Sequence, residues 1–389
     1  MPSPARSRWA ILAMFMIAHA INDGFAWVIP PLLPAVREHF GISYAEMGLF
    51  YTLFRVFGSW TQIPASYLVL FVPPVTVLVG GLIWSSAGMF IASLSPTYTV
   101  LIWVAAVSGI GRATYHPLAM TMLSRIFPRE LLGRVIGIHL SASNTANVIA
   151  PFLVAILLAQ SSWRLPIQVW SLLGLVAGIF LFFFLKIPGA DFSPKRKKLG
   201  WPFFSKSMGI YLTAISLYGI SQGGLMTFFP LFLVDHRGFS PGAAAAFYGL
   251  MAASGTICRP FLGALMDWMG KRKPVIMLGF ISAGLAILGL ASMKVSWVMY
   301  LCFIVMGIFG SGHSGLSDVF LVEMIPPERR EETLGFVYTL RMGVTALSPL
   351  FVGIFSERLG LVEVFMILGF LCLSCALIIS FAEEKTETL

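Results

Sequence analysis

Residues 9–33 read WAILAMFMIAHAINDGFAWVIPPLL, a run of 25 residues whose single carboxylate is Asp23. A helix crosses about 30 Å of hydrocarbon in roughly 20 residues, so this stretch is long enough to span a bilayer. Hydrocarbon offers the backbone no hydrogen bonds, which restricts spanning segments to helices or closed barrels. The run is too long and too evenly apolar for a barrel strand. Working outward, eleven further runs of the same kind stand near 44–70, 74–94, 98–122, 132–158 and 165–186, then 208–234, 243–266, 274–293, 297–323, 333–357 and 361–382. The sequence therefore predicts an all-α membrane protein of twelve spans.

Composition agrees. Apolar residues make up 58% of the chain and charged residues 11%, against about 25% charged in a soluble domain, and the mean hydropathy is +0.87. Charge this scarce excludes a disordered chain and argues against a nucleic-acid-binding protein or a soluble enzyme. Cys258, Cys302, Cys372 and Cys375 all fall inside apolar runs, which excludes a secreted disulfide framework. Arg6, Arg8 and the Ala18-His19-Ala20 triplet also have the look of a leader peptide. The apolar run continues past Ala20, however, and the repeat described below uses the whole of it, so an uncleaved span is expected.

Lys and Arg set the orientation. With the N-terminus in the cytoplasm, 17 of the 26 basic residues fall on inside segments, among them Arg125, Arg129, Arg134, the Lys195–Lys198 cluster and Lys271–Lys273. Five fall outside: Arg37, Arg164, Arg237, Lys294 and Arg358. This asymmetry predicts both termini in the cytoplasm. It also accounts for the net charge of +9 without invoking an anionic macromolecular partner.

The two halves repeat at an offset of about 197 to 199 residues. Phe40-Gly41-Ile42-Ser43 answers to Arg237-Gly238-Phe239-Ser240, Gly109 to Gly307, His116 to His313, and Ala150-Pro151 to Ser348-Pro349. Six spans is an even number, so the halves share one orientation, a parallel repeat. The expected division is a six-helix bundle over 1–186, a cytoplasmic linker over 187–207 and a second bundle over 208–389.

A charged group at mid-bilayer costs at least about 2.5–3.5 kcal/mol, so those within spans mark function. His19 and Asp23 lie on span 1, Arg55 on span 2, Arg112 and His116 on span 4, and His139 on span 5. Arg259 lies on span 8, His313 and Asp318 on span 10, and Arg341 on span 11. Spans 3, 6, 9 and 12 carry none near their middles, which predicts that they face lipid while the others surround a polar cavity. His19, Asn22 and Asp23 share one helical face, as do Arg112, Tyr115 and His116. Ser143 and Asn147 continue a face from His139; Tyr338, Arg341, Thr345 and Ser348 form a stripe; and span 7 adds Tyr218, Ser221 and Gln222.

Asp23 with His19 is the candidate proton-coupling pair. Asn22, Arg112, Tyr115, His116, Asn147, Gln222, His313 and Arg341 are the candidate substrate-binding residues. Asp267, Arg259 and Asp318 are candidate gating residues. The structural alternatives are that Arg259 snorkels or pairs with Asp267, that His139 serves packing, and that Asp318 forms a gate ion pair. The four histidines within spans sit on four different helices, which argues against clustered metal ligands, and no metal or other cofactor is expected. No Gly-rich phosphate loop is present, which argues against ATP-driven pumping.

Twelve spans in a 6+6 parallel repeat resemble the major facilitator superfamily of secondary transporters. The loop Gly263-Ala264-Leu265-Met266-Asp267-Trp268-Met269-Gly270-Lys271-Arg272-Lys273 is similar to that superfamily's gating-loop motif. The equivalent loop in the first half, Tyr67 to Pro74, carries no charge. Within the superfamily, the fosmidomycin-resistance-like branch is resembled through His19-Ala20-Ile21-Asn22-Asp23, Pro31-Leu32-Leu33-Pro34, Gly41-Ile42-Ser43-Tyr44, Gly109-Ile110-Gly111, Tyr115-His116-Pro117 and Gly137-Ile138-His139. Asp23-Gly24-Phe25-Ala26-Trp27 is also similar to the first-helix signature of monocarboxylate transporters, one residue short. These resemblances imply alternating access and proton-driven efflux of small anionic or drug-like compounds, by antiport. The alternative they imply is proton-symport uptake of a monocarboxylate. The expectation is a multi-pass protein of the inner or plasma membrane, acting as a monomer on a small-molecule substrate, protons and membrane lipids its other partners, with no nucleic acid and no enzymatic reaction.

Overall fold

The structure, a computed structural model, describes residues 4–187, 201–293, 296–311 and 314–384. His313 and the Lys195–Lys198 cluster lie outside the described residues. Every regular element among those described is helical, with no strand.

Among the described residues, nine of the twelve expected spans are single long helices: α1 (Pro4–Phe40), α4 (Pro74–Ser93), α7 (Arg129–Leu158), α8 (Arg164–Phe184), α9 (Lys206–Arg237), α10 (Pro241–Met269), α11 (Lys273–Ser292), α14 (Arg330–Leu359) and α15 (Leu361–Ser380). The other three are broken, and the sequence contains the reasons for two of the breaks. Span 2 is α2 (Tyr44–Trp60), α3 (Gln62–Tyr67) and a 3₁₀ turn at Leu68–Leu70. Span 4 is α5 (Tyr98–Arg112) and α6 (Tyr115–Ile126). A proline clashes with the carbonyl four residues before it. Pro64 stands four residues after Trp60, where α2 stops, and Pro117 four after Ala113, where α5 has just ended. Span 10 is α12 (Ser296–Val305), a π turn at Met306–Ser311, and α13 (Ser314–Met324). The wide turn loosens the carbonyl ladder, and the Tyr218 hydroxyl donates to the Gly310 carbonyl at 2.8 Å.

The chain forms two compact units. One comprises Met1–Gly41 with Phe50–Arg196, the other Ile42–Leu49 with Lys197–Leu389. In the first, side chains tie helices to the backbone of α1: Tyr51 donates to the Ala26 carbonyl at 2.8 Å, Trp170 to that of Ile21 at 3.2 Å, and Tyr115 to that of Phe15. In the second, Tyr211 donates to the Ser317 carbonyl at 3.0 Å and Ser221 to that of Leu368 at 3.0 Å. Large apolar side chains stand exposed along spans 3, 6, 9 and 12, among them Trp84, Val176, Leu285 and Phe370.

The internal repeat is visible in local geometry. Gly41 and Gly238 both take the left-handed conformation that a side chain disfavours, at φ +62° and +71°. Ser43 and Ser240 then each accept a backbone N–H three residues on, from Glu46 and Ala243, both at 3.2 Å. Gly109 and Gly307 mark close helix contacts. A Cβ at Gly109 would lie 2.6 Å from the Phe54 carbonyl oxygen, and one at Gly307 would collide with that of Met251. Backbone cannot swing aside, so Gly109→Ala must push its helix away from the neighbour. It is expected to cost about 1–3 kcal/mol, read as a lower thermal unfolding midpoint in detergent; an unchanged midpoint would contradict the close packing.

Candidate functional site

The costly polar groups of the first unit converge on Asp23. Its Oδ2 lies 3.1 Å from Nε2 of His19, one turn back on α1, and its Oδ1 lies 3.1 Å from Nε2 of His116 on α6. Ser143 on α7 donates to Oδ2 at 2.6 Å, and the Asn22 amide to Oδ1 at 3.0 Å. Three spans thus deliver four groups to one carboxylate.

His19 is fixed from its other side. Its Nδ1 stands 3.1 Å from the main-chain carbonyl of His139. A carbonyl only accepts, so Nδ1 carries its hydrogen. In the neutral tautomer that leaves Nε2 with a lone pair pointed at a carboxylate lone pair. The contact therefore needs a hydrogen between the two, carried by Nε2 or by the carboxyl group, or a metal ion in its place. His19 is buried, and its ring stacks on those of His139 and Tyr115 with centroids 4.3 and 5.2 Å away. His139 is fully buried, and among the described residues neither of its ring nitrogens has a hydrogen-bond partner. His116 keeps 36% of its side chain exposed and Asp23 18%, which makes them the accessible edge of the cluster.

Arg112 ends α5 beside this group. Its Nε donates to the Asn22 carbonyl at 2.9 Å and its guanidinium lies 4.9 Å from the centre of the Phe54 ring. Arg55 lies over Tyr51 at 5.8 Å. Asn147 sits one turn beyond Ser143, its buried Oδ1 without a partner among the described residues.

In the second unit Arg341 does not stand as a bare cation. Its Nη1 meets Asp318 Oδ1 at 2.7 Å, and its guanidinium lies 4.9 Å from the Tyr338 ring centre. Both ends of the pair are partly accessible, at 22% and 27%. Gln222 donates to Cys372 Sγ at 3.7 Å and leaves its Oε1 buried without a partner among the described residues. Arg259 is half-buried on α10.

Asp267 ends α10 in a second charged group. Arg272 reaches it at 3.0 Å and also meets Glu323, on α13, at 3.2 Å. Burial alone would lower the basicity of Arg272, but its hydrogen bonds to Glu323 and Asp267 win and raise it. Glu384 accepts the backbone N–H of Arg272 and, at 3.1 Å, that of Lys273, capping α11. Glu384→Ala is expected to cost about 0.5–2 kcal/mol, seen as a lower unfolding midpoint; no change would contradict the capping role.

Sequence spacing finds partners on one helix and misses partners across helices. His19, Asn22 and Asp23 were legible as one face. The meeting of His19, His116 and His139 was not, and the expectation that histidines on separate helices lie apart does not hold: three spans bring three of them together. Ser143 had a signal, standing four residues after His139. Glu323 and Glu384 had none beyond their sign, opposite to the Lys271–Lys273 cluster.

Residues 15–281 and 257–388 match the Major Facilitator Superfamily. The chain is 27% identical over 278 residues to the "Nitrite extrusion protein" of Bacillus subtilis (strain 168), covering 68% of this chain and 66%, just under two thirds, of that relative. It is 23% identical over 275 residues to the "Probable nitrate transporter NarT" of Staphylococcus carnosus (strain TM300), covering 68% of each. Among solved structures, the fold is similar to a bacterial homologue of the human lysosomal transporter Spinster, with a TM-score of 0.85, 16% identity and coverage of 98% of this chain and 97% of that one. It is also similar to the nucleoside transporter NupG, with a TM-score of 0.79, 14% identity and coverage of 96% of this chain and 98% of that one. The relatives matched by sequence are transporters of nitrate and nitrite by name, and do not single out the fosmidomycin-resistance-like branch. A helical chain of membrane-spanning segments, built as a repeat and matched along most of its length, is a multi-pass transporter rather than an enzyme: it belongs to the Major Facilitator Superfamily.

Proposed function

We propose that this chain is a proton-coupled transporter of small anions, exporting them by antiport across the inner or plasma membrane with both termini in the cytoplasm. The observation that carries the reading is Asp23 clasped between His19 and His116, at 3.1 Å from each. A carboxylate within a span persists only beside positive charge or as the neutral acid. The His19 contact itself needs a hydrogen shared between carboxylate and imidazole, and a titrating proton supplies it. Asp23 and His19 therefore hold the coupling proton, with His116 at the accessible edge.

Arg112 and Arg341 recognise the anion. A guanidinium presents several fixed donors to a planar oxyanion, whether a carboxylate or an inorganic one. The names of the relatives support small oxyanions such as nitrate and nitrite within this class. The fosmidomycin-resistance-like motifs support phosphonates, and the Asp23–Trp27 signature supports monocarboxylates. Asp318 neutralises Arg341 until the anion displaces it, which gives the second unit a gate that opens on substrate. Asp267, Arg272 and Glu323 latch the cytoplasmic ends of α10 and α13.

Proteoliposomes holding a pH-sensitive dye test the reading, with the membrane potential clamped by potassium and valinomycin. Nitrate, nitrite, small carboxylates and phosphonates are added outside one at a time. Antiport predicts alkalinisation of the lumen as the anion enters and protons leave. Acidification assigns symport instead, and with it the monocarboxylate-uptake alternative if a carboxylate is the active compound. No pH change with any of these anions contradicts proton coupling of small anions.

A further inference from the structure

The three groups around Asp23 also have the composition of a transition-metal site. One ring nitrogen each of His19 and His116 and one oxygen of Asp23 all lie within 4.8 Å of one another. In a tetrahedral site with bonds of about 2.0–2.1 Å, neighbouring ligand atoms stand about 3.3 Å apart. Here each histidine Nε2 stands 3.1 Å from its own oxygen of the carboxylate, His19 from Oδ2 and His116 from Oδ1. The three ligand atoms are thus close enough for side-chain rotation to bring them onto one ion.

The surroundings match what such ions require. A metal-binding histidine donates its remote ring N–H to a carbonyl or carboxylate, which aims the other nitrogen at the ion. His19 does so through Nδ1, 3.1 Å from the His139 carbonyl. The carboxylate is steadied by Ser143 at 2.6 Å and Asn22 at 3.0 Å. His139, stacked on His19 at 4.3 Å, adds a third imidazole whose nitrogens are buried and unpartnered among the described residues. The 36% exposure of His116 leaves one side open for an ion to enter and for water to complete its shell. Two imidazoles and one carboxylate suit the late first-row divalent ions and not magnesium or calcium, which favour all-oxygen sets.

We infer that His19, Asp23 and His116 form a binding site for a divalent transition-metal ion of the zinc class, joining α1 to α6 within the first unit. The inference rests on the geometry of the pocket and stands apart from the proton-coupling reading. An ion seated there would hold the carboxylate and both histidines in one arrangement.

The experiment uses the tag-free full-length protein in detergent, with no transport step. Zn²⁺ is titrated by calorimetry, and Co²⁺ by its visible absorption, which is intense only in low-symmetry four- or five-coordinate sites. One ion per chain is expected, with binding weakened at least about tenfold in His116→Ala and in Asp23→Asn, and unchanged in His236→Ala on the exposed end of α9. His116→Cys keeps a metal ligand and is expected to retain binding, with a new sulfur-to-cobalt charge-transfer band. That band also reports a folded site should His116→Ala misfold. Failure of wild type to bind one ion, or equal affinity in wild type, His116→Ala and Asp23→Asn, overturns the inference. A null result for substrate-driven proton movement would leave these binding data untouched, so the two readings fail separately.

Discussion

Asp23→Asn is expected to preserve exchange of labelled for unlabelled substrate across the membrane while losing accumulation driven by a pH gradient. The amide keeps the volume of the carboxylate and can still accept from Ser143, which donates to Asp23 at 2.6 Å. What it cannot do is take up and release a proton. Removing the proton site uncouples substrate from the gradient, so the accumulation of up to about tenfold per pH unit for each coupled proton is lost, while exchange, which needs only the substrate site and the conformational change, continues. Loss of both activities together would place Asp23 in the substrate site itself. Retention of both would separate Asp23 from coupling altogether.

Arg341→Gln is expected to abolish anion transport and to lower stability, and the two effects separate by a second substitution. The Arg341–Asp318 pair is close, at 2.7 Å, with both side chains about a quarter exposed. Breaking a fully buried pair by removing one partner costs about 3–5 kcal/mol. Exposed pairs are worth about 0–1 kcal/mol. A partly accessible pair falls between, so Arg341→Gln should cost about 1–3 kcal/mol. Asp318→Asn in the same chain removes the stranded carboxylate and is expected to recover most of that stability in thermal unfolding. It should recover none of the transport, because the guanidinium that meets the substrate is still absent. Transport restored by the double substitution would reduce Arg341 to a structural partner of Asp318.

The fold was legible because its signals are local. Twelve apolar runs and the glycine–serine punctuation at Gly41/Ser43 and Gly238/Ser240 each act over a few residues. The breaks in spans 2 and 4 were in principle legible too, since Pro64 stands four residues after Trp60 and Pro117 five after Arg112, where the helices end. The π turn at Met306–Ser311 had no such marker.

The site was half legible. Helical spacing placed His19, Asn22 and Asp23 on one face, and the scarcity of charge made Asp23, Arg112 and Arg341 conspicuous. Spacing cannot see across helices. The 120 residues separating Asp23 from Ser143, and the same interval separating His19 from the His139 carbonyl, hide two contacts that set the chemistry of the pocket. The pairing of Arg341 with Asp318 was hidden in the same way. Two residues read separately, one as a substrate ligand and one as a gate, prove to be a single ion pair.

The most direct test of the central claim is substrate affinity as a function of pH, measured in detergent on wild type and Asp23→Asn with the anion that gives the proteoliposome signal. Binding and proton uptake at linked sites change affinity by up to about tenfold per pH unit for each proton exchanged. Competition between proton and anion predicts a sloping profile in wild type and a flat one in Asp23→Asn. The same slope in both proteins would show that the coupling proton lies elsewhere.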